Sequence, residues 1–217
     1  MRLPPLAALL SLLGACAVPP TEMSNLSNQE LLNRLPAQLG PLPATGPAQG
    51  QAPDSATRLY RARGVIAAAT LVRPTPPMVV PDGPDGPETR VLLERLTSNL
   101  VTSLPPTPPF GPWRREADLR VQNQDGPPLR CAVLRRARGD GAQVQYTCIT
   151  GIHARYLTLG VNVNHDAMNT QAAQTLAGNF TGNVARMLAT GNGLVAAAPA
   201  MAAPQPKAVV PDDAVPE

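Results

Sequence analysis

The sequence predicts an α+β fold: an antiparallel sheet, a meander with a disulfide-linked hairpin, covered on one face by two helices. Three observations carry the prediction. Residues 129–163 read as a hairpin followed by a third strand. Leu93, Leu96, Leu100 and Leu104 form a stripe at spacings of three and four, and so do Ala173, Leu176, Ala177, Phe180, Val184, Met187 and Leu188 further on.

In the hairpin, Gly139 and Asp140 suit a two-residue type II′ loop, with Gly139 supplying the positive φ. Counting outward from Arg138 opposite Gly141 sets Ala137 against Ala142, Arg135 against Val144, Val133 against Tyr146 and Cys131 against Cys148. The cysteines fall on a non-hydrogen-bonded rung, where Cα atoms lie about 4.5 Å apart, close enough for a disulfide. The same register puts Leu129, Cys131, Val133, Ala142, Val144, Tyr146 and Cys148 on one face. Arg130, Arg136, Arg138, Gln143, Gln145 and Thr147 take the other. A loop at Asp140 and Gly141 would set Cys131 against Thr150 and lose the bond. Leu157, Leu159, Val161 and Val163 then alternate as the third strand.

Taken in order, the chain begins with one cation, Arg2, and an apolar run over 6–13 that is too short to span a bilayer and ends in Gly14 and Ala15. Leu13, Gly14, Ala15 and Cys16 resemble the bacterial lipobox. The resemblance implies a signal peptide over 1–15, cleavage before Cys16 and acylation of that cysteine. Ala17 after it, where an Asp often retains such proteins in the inner membrane, leans toward the periplasmic face of the outer membrane. Acylating Cys16 leaves two of the three cysteines to pair with each other in an oxidising compartment.

Residues 16–55 read as a lipid-anchored tether. Ser27 and Glu30 have the spacing of a capping box for a short helix that Pro36 stops, and 37–55 have the composition of an extended Pro, Gly and Ala linker. One domain is expected over 56–191. Its first strand is placed at 65–72, and its first helix begins at Pro87, where a missing N–H costs nothing. The proline-rich 105–112, ending near Phe110 and Trp113, is read as a loop whose tryptophan covers the core edge, with a docking motif as the alternative. Ala117, Leu119 and Val121 alternate as a strand, Asn169 or Thr170 caps the last helix, and Gly191 ends it. Residues 192–217 read as a disordered tail. Strands followed by a long final helix are similar to the Mog1/PsbP-like α+β sandwiches, a likeness of fold alone.

The chemistry of the sequence is sparse. His153 and His165 are the only histidines and lack the partners of a zinc site; no nucleophile, phosphate or dinucleotide motif occurs, and Glu88 and Glu94 fall on different sides of one helix. No catalytic residue, metal or cofactor is therefore expected. His165 beside Asp166 reads as a solvated pair, and Arg138, Gly139 and Asp140 spell an adhesive tripeptide already explained by the turn. Cations are nearly all arginine, with Lys207 the sole lysine and a net charge of +3. Arg130, Arg136 and Arg138 make a candidate basic face for anionic head groups; nucleic acid is not an expected partner. The expected function is that of a non-catalytic envelope lipoprotein, an interaction module held on the bilayer through Cys16 and meeting another envelope protein. The alternative is a carrier of a small apolar ligand between helices and sheet. A deep apolar pocket favours the carrier, and a closed core with an exposed apolar patch favours the module.

Overall fold

The computed structural model describes residues 20–194 apart from 53, 104, 105 and 107. The expected signal segment, Cys16 and the expected tail beyond 194 lie outside the described residues. Two short helices, α1 (Pro20–Asn25) and α2 (Asn28–Asn33), lead into a two-residue-strand hairpin, β1 (Gln38–Leu39) and β2 (Leu42–Pro43). Next come β3 (Gln49–Ala52), β4 (Ser55–Ala62), β5 (Val65–Val72) and the helix α3 (Pro87–Ser103). The remainder is β6 (Arg114–Val121), β7 (Leu129–Arg138), β8 (Gly141–Ile152), β9 (Arg155–Asn164) and α4 (Thr170–Thr190).

One antiparallel sheet orders the strands β3-β4-β5-β9-β8-β7-β6. It is two meanders joined where β5 pairs with β9, from Val65 opposite Val163 to Val72 opposite Tyr156. The hairpin register is as the sequence predicts: Arg138 faces Gly141, Val133 faces Tyr146, and Cys131 faces Cys148. Gly139 has φ +56° and the two sulfurs are bonded. The helix ends also follow sequence chemistry. Ser27 and Glu30 close a capping box on α2, and the Asn169 side chain accepts from the Ala172 N–H at the start of α4. Gly191, at φ +74°, donates its N–H to Met187 O at the end of that helix.

The main core lies between one face of the sheet and helices α2 and α4. Tyr60, Ala67, Ala69, Leu71, Cys131, Cys148, Leu157, Leu159, Val161 and Val163 meet Leu31 and Leu32 from α2 and Ala177, Phe180, Val184 and Leu188 from α4. Tyr60 and Phe180 pack edge to face at 5.5 Å, and the Tyr60 hydroxyl donates to Pro36 O. Burial pushes that phenol up to about 12.

The helix α3 departs from the expected layering. It lies on the opposite face, where Leu93 packs with Trp113, Ala132, Leu134 and Ile149 in a second, smaller cluster. Both faces of β7 and β8 are apolar near the strand base, so the hairpin is a central layer there. Leu96 and Leu100 are only half buried, because α3 covers β7 and β8 and leaves β5 and β9 open.

The expected linker over 37–55 is instead part of the fold, which starts well before residue 56. Leu42 and Ala48 are buried, and β3 pairs with β4. The fixings come from α2: Asn33 Oδ1 accepts from the Ala48 N–H, Gln29 donates to Ala48 O, and Asn28 donates to Asp54 O. Two buried arginines complete the attachment. Arg58 donates to the carbonyls of Leu32, Asn33 and Leu35 at the end of α2, and Arg155, fully buried, donates to those of Met23, Ser24 and Leu26 at the end of α1. Burial lowers the Arg155 guanidinium to about 10, which leaves it charged near neutral pH and suited to hold three carbonyl dipoles. The segment expected to be a tether is thus docked from Met23 onward.

The hairpin bond generates a direct test. Replacing Cys131 and Cys148 together by Ser opens a loop whose ends are seventeen positions apart. The cost is about 3 kcal/mol, or a melting temperature roughly 6–12 °C lower, with the fold retained. Thermal unfolding followed by circular dichroism checks this; an unchanged melting temperature would remove the stabilising role.

Candidate functional site

The uncovered half of the α3 face is the most distinctive surface of the molecule. Along β5, β8 and β9 the side chains that point away from the main core are Ala68 and Thr70, Gln145 and Thr147, and Thr158, with Gly160 leaving a gap. Leu96, Asn99 and Leu100 of α3 form one wall, and together these residues line a trough of about 390 Å³ that opens to solvent. On its far side Leu59 and Ile66 stand about 40% exposed, next to Ala68 in the register of β4 and β5. No charged side chain lines the trough. Three strands at about 4.8 Å spacing give a floor near the diameter of one helix, about 10 Å. The surface therefore has room for a helix beside α3 and offers it small, apolar and hydroxyl groups.

One end of this face is polar and tightly wired. Arg136 Nε donates to Gln143 Oε1 at 2.7 Å, Gln143 donates to Asn162 Oδ1, and Asn162 donates to Gln145 Oε1 at 3.0 Å. Gln145 in turn donates to the Tyr146 carbonyl. The row crosses β7, β8 and β9 and orients the amides, so that its β8 and β9 members are uncharged and Arg136 on β7 is the one cation.

The three arginines of the expected basic face are not a free cationic surface. The Arg136 guanidinium stacks on Phe110 at 4.1 Å and on Trp113 at 4.5 Å, and burial, with Arg138 nearby, lowers its pKa. Arg138 pairs with Asp166 at 3.0 Å, and Arg130 lies 3.7 Å from Asp85, which also binds Arg120. Each of the three cations has a carboxylate or an aromatic ring beside it, so none projects as an unpartnered guanidinium. Trp113 is 4% exposed, in the second core cluster, which places it as cover for the core edge. The adhesive tripeptide is likewise engaged, with Arg138 held by Asp166 and the Gly139 N–H donated to Pro109 O.

Several other titratable groups are tied into the fold. His153 and Ala154 form the β8–β9 loop, both with positive φ (47° and 57°), an uncommon choice for residues with a Cβ. Asp82 accepts the His153 N–H, and the ring Nε2 lies 3.1 Å from the carbonyls of Leu188 and Ala189, so His153 ties the end of α4 to the loop. Asp166 turns to Arg138, and the backbone N–H of His165 donates to Ala142 O. Glu94 is held by Arg115 at 2.6 Å and 2.8 Å, which lowers its pKa and fastens α3 to β6. Among the described residues no group of three or more His, Cys, Asp or Glu could hold a metal ion.

Sequence reasoning missed the trough, although its signal was present. The outward positions Gln143, Gln145, Thr147, Thr158, Gly160 and Asn162 are uncharged throughout, whereas a solvated sheet face ordinarily carries Lys, Glu or Arg.

The Arg136 stack is testable because Trp113 is the only tryptophan. Arg136→Ala removes the cation from both rings, so the fluorescence of Trp113 shifts to the red and stability falls by about 1–2 kcal/mol. An unshifted emission maximum would show that the guanidinium does not shield the indole.

The chain matches no family model and no curated protein.

Proposed function

We propose that this protein is a non-catalytic lipoprotein of a bacterial envelope, anchored through acylated Cys16, whose domain docks a helical segment of another envelope protein in the trough beside α3. The observation that carries the reading is the pairing of a closed main core with an open, uncharged half-face. The trough is exposed along its length and is not an enclosed cavity, which suits a polypeptide laid across it better than a small apolar cargo. Its floor of Ala68, Thr70, Thr158 and Gly160 lets a backbone approach closely, and the amide row at one end offers hydrogen bonds for a polar helix terminus. The ligand-carrier alternative gains no comparable support. The lipobox resemblance supports the anchor, and among the described residues no helix is long and apolar enough to cross a membrane.

Two experiments separate the parts of this reading. After detergent phase partitioning, the native protein enters the detergent phase and the Cys16→Ser variant stays in the aqueous phase; if the variant also enters the detergent phase, the anchor is wrong. For the trough, Ala68→Arg sets a charge on a half-exposed position, so the melting temperature stays within about 2 °C of the native value. Crosslinking in native envelopes then loses the heterologous product that the unaltered protein gives. Retention of that product, or crosslinking only to a second copy of the chain, would overturn the assignment of the partner.

A further inference from the structure

One end of the sheet gathers features that bear on how the domain meets a bilayer. The ladder of β5 and β9 ends with Val72 opposite Tyr156, so the chain leaving β5 emerges beside the β8–β9 loop. α1 is fixed at the same place: Arg155, the first residue of β9, holds the carbonyls of Met23, Ser24 and Leu26, and Arg73 reaches Ser24 O at 3.5 Å. From this end projects the segment Pro74, Thr75, Pro76, Pro77, Met78 and Val79, which contains no charge. Val79 is 88% exposed and Met78 47%, while the neighbouring Val80 is buried and fastens the base of the loop. The Tyr156 hydroxyl donates to Met78 Sδ, and prolines limit the backbone freedom of the segment. Pro77 and Met78 border a cleft with Ser24, Asp82 and His153, and the Val79 side chain stands out to solvent at the tip of this stiff apolar prominence.

The length of chain between the anchor and the fold says what it faces. Cys16 precedes Pro20 by four positions, a reach of at most about 14 Å, and α1 adds only about 5 Å up to Met23. An acylated Cys16 therefore holds the bilayer surface within about 20 Å of Met23. The strands run eight to twelve residues, so the hairpin tip at Gly139 and Asp140, beyond the opposite end, stands well outside that distance.

We propose that the loop carrying Met78 and Val79 is a second membrane contact: it inserts these two side chains into the boundary between head groups and acyl chains, with exposed Arg73 placed toward lipid phosphates. The domain then stands with its β8–β9 end on the bilayer and its hairpin tip away from it, which leaves the trough along its flank open to a partner. The inference rests on the anchor at Cys16, and its ligand is the lipid surface itself.

The test uses the full-length acylated protein in vesicles of phosphatidylethanolamine and phosphatidylglycerol containing lipids brominated on the acyl chain. Mass spectrometry of the N-terminal peptide first establishes the diacylglycerol on Cys16. A tryptophan is then introduced by Val79→Trp or, at the distant tip, by Asp140→Trp, each read against the emission of native Trp113. The expected result is a blue-shifted emission for the Val79→Trp protein, with brominated lipid quenching the added signal at least roughly twofold more than in the Asp140→Trp protein. Equal quenching in the two proteins with Cys16 acylated overturns the membrane contact and leaves the anchor standing. An unmodified Cys16 overturns the anchor, and the proposal with it.

Discussion

The eight-residue ladder between β5 and β9 is the constraint on which the rest of the molecule depends. Without it the sheet is two separate meanders of three and four strands. With it, Ala67, Ala69 and Leu71 line up beside Leu157, Leu159 and Val161, and the combined face is broad enough for α2 and α4 to cover. The opposite face widens equally, but α3 is the only long helix described on that side and covers the β7 and β8 half. The trough follows from this count of helices against strands.

Arginine serves several distinct purposes here. Arg58 and Arg155 are buried and gather carbonyls at the ends of short helices, Arg58 through Nη1 alone and Arg155 through both Nη1 and Nη2. At Arg155 a lysine ammonium, with one nitrogen, could not span the acceptors in the same way. Arg136 packs as a flat plate between two rings, and Arg115 and Arg120 fasten α3 and the loop before it to β6 through Glu94 and Asp85. Exposed Arg73 is left at the end where the chain enters the fold.

Periodic elements with their own stop signals were legible from sequence. The hairpin, its disulfide, α3 from Pro87 and α4 from Asn169 to Gly191 each combine a hydrophobic period with local capping or turn chemistry. β4 was not legible because its inward position 58 is arginine, so the alternation of Ala56, Arg58 and Tyr60 is broken in any hydropathy reading. Residues 37–55 misread as a linker for a related reason. They contribute little apolar area of their own and are held by side-chain amides of α2, twelve or more residues away, which composition cannot reveal. The side occupied by α3 was missed because Ala132, Leu134 and Ile149 make the supposed polar face of the hairpin apolar at its base. At the site, the arginine positions were readable, but their partners Asp85, Asp166 and Phe110 come from distant segments.

The burial of the Cys131–Cys148 bond ties oxidation to the order in which the chain is assembled. Both sulfurs belong to the core that α4 closes, and the cysteines are 2% and 3% exposed in the finished fold. An oxidant must therefore reach the thiols while the hairpin exists without its cover. Chain order provides that interval, since α4 follows the hairpin as the last of the described elements and the hairpin contacts are local. Once α4 has docked, a reductant meets the bond only when the domain opens, so the redox state set during maturation is kept for as long as the protein stays folded.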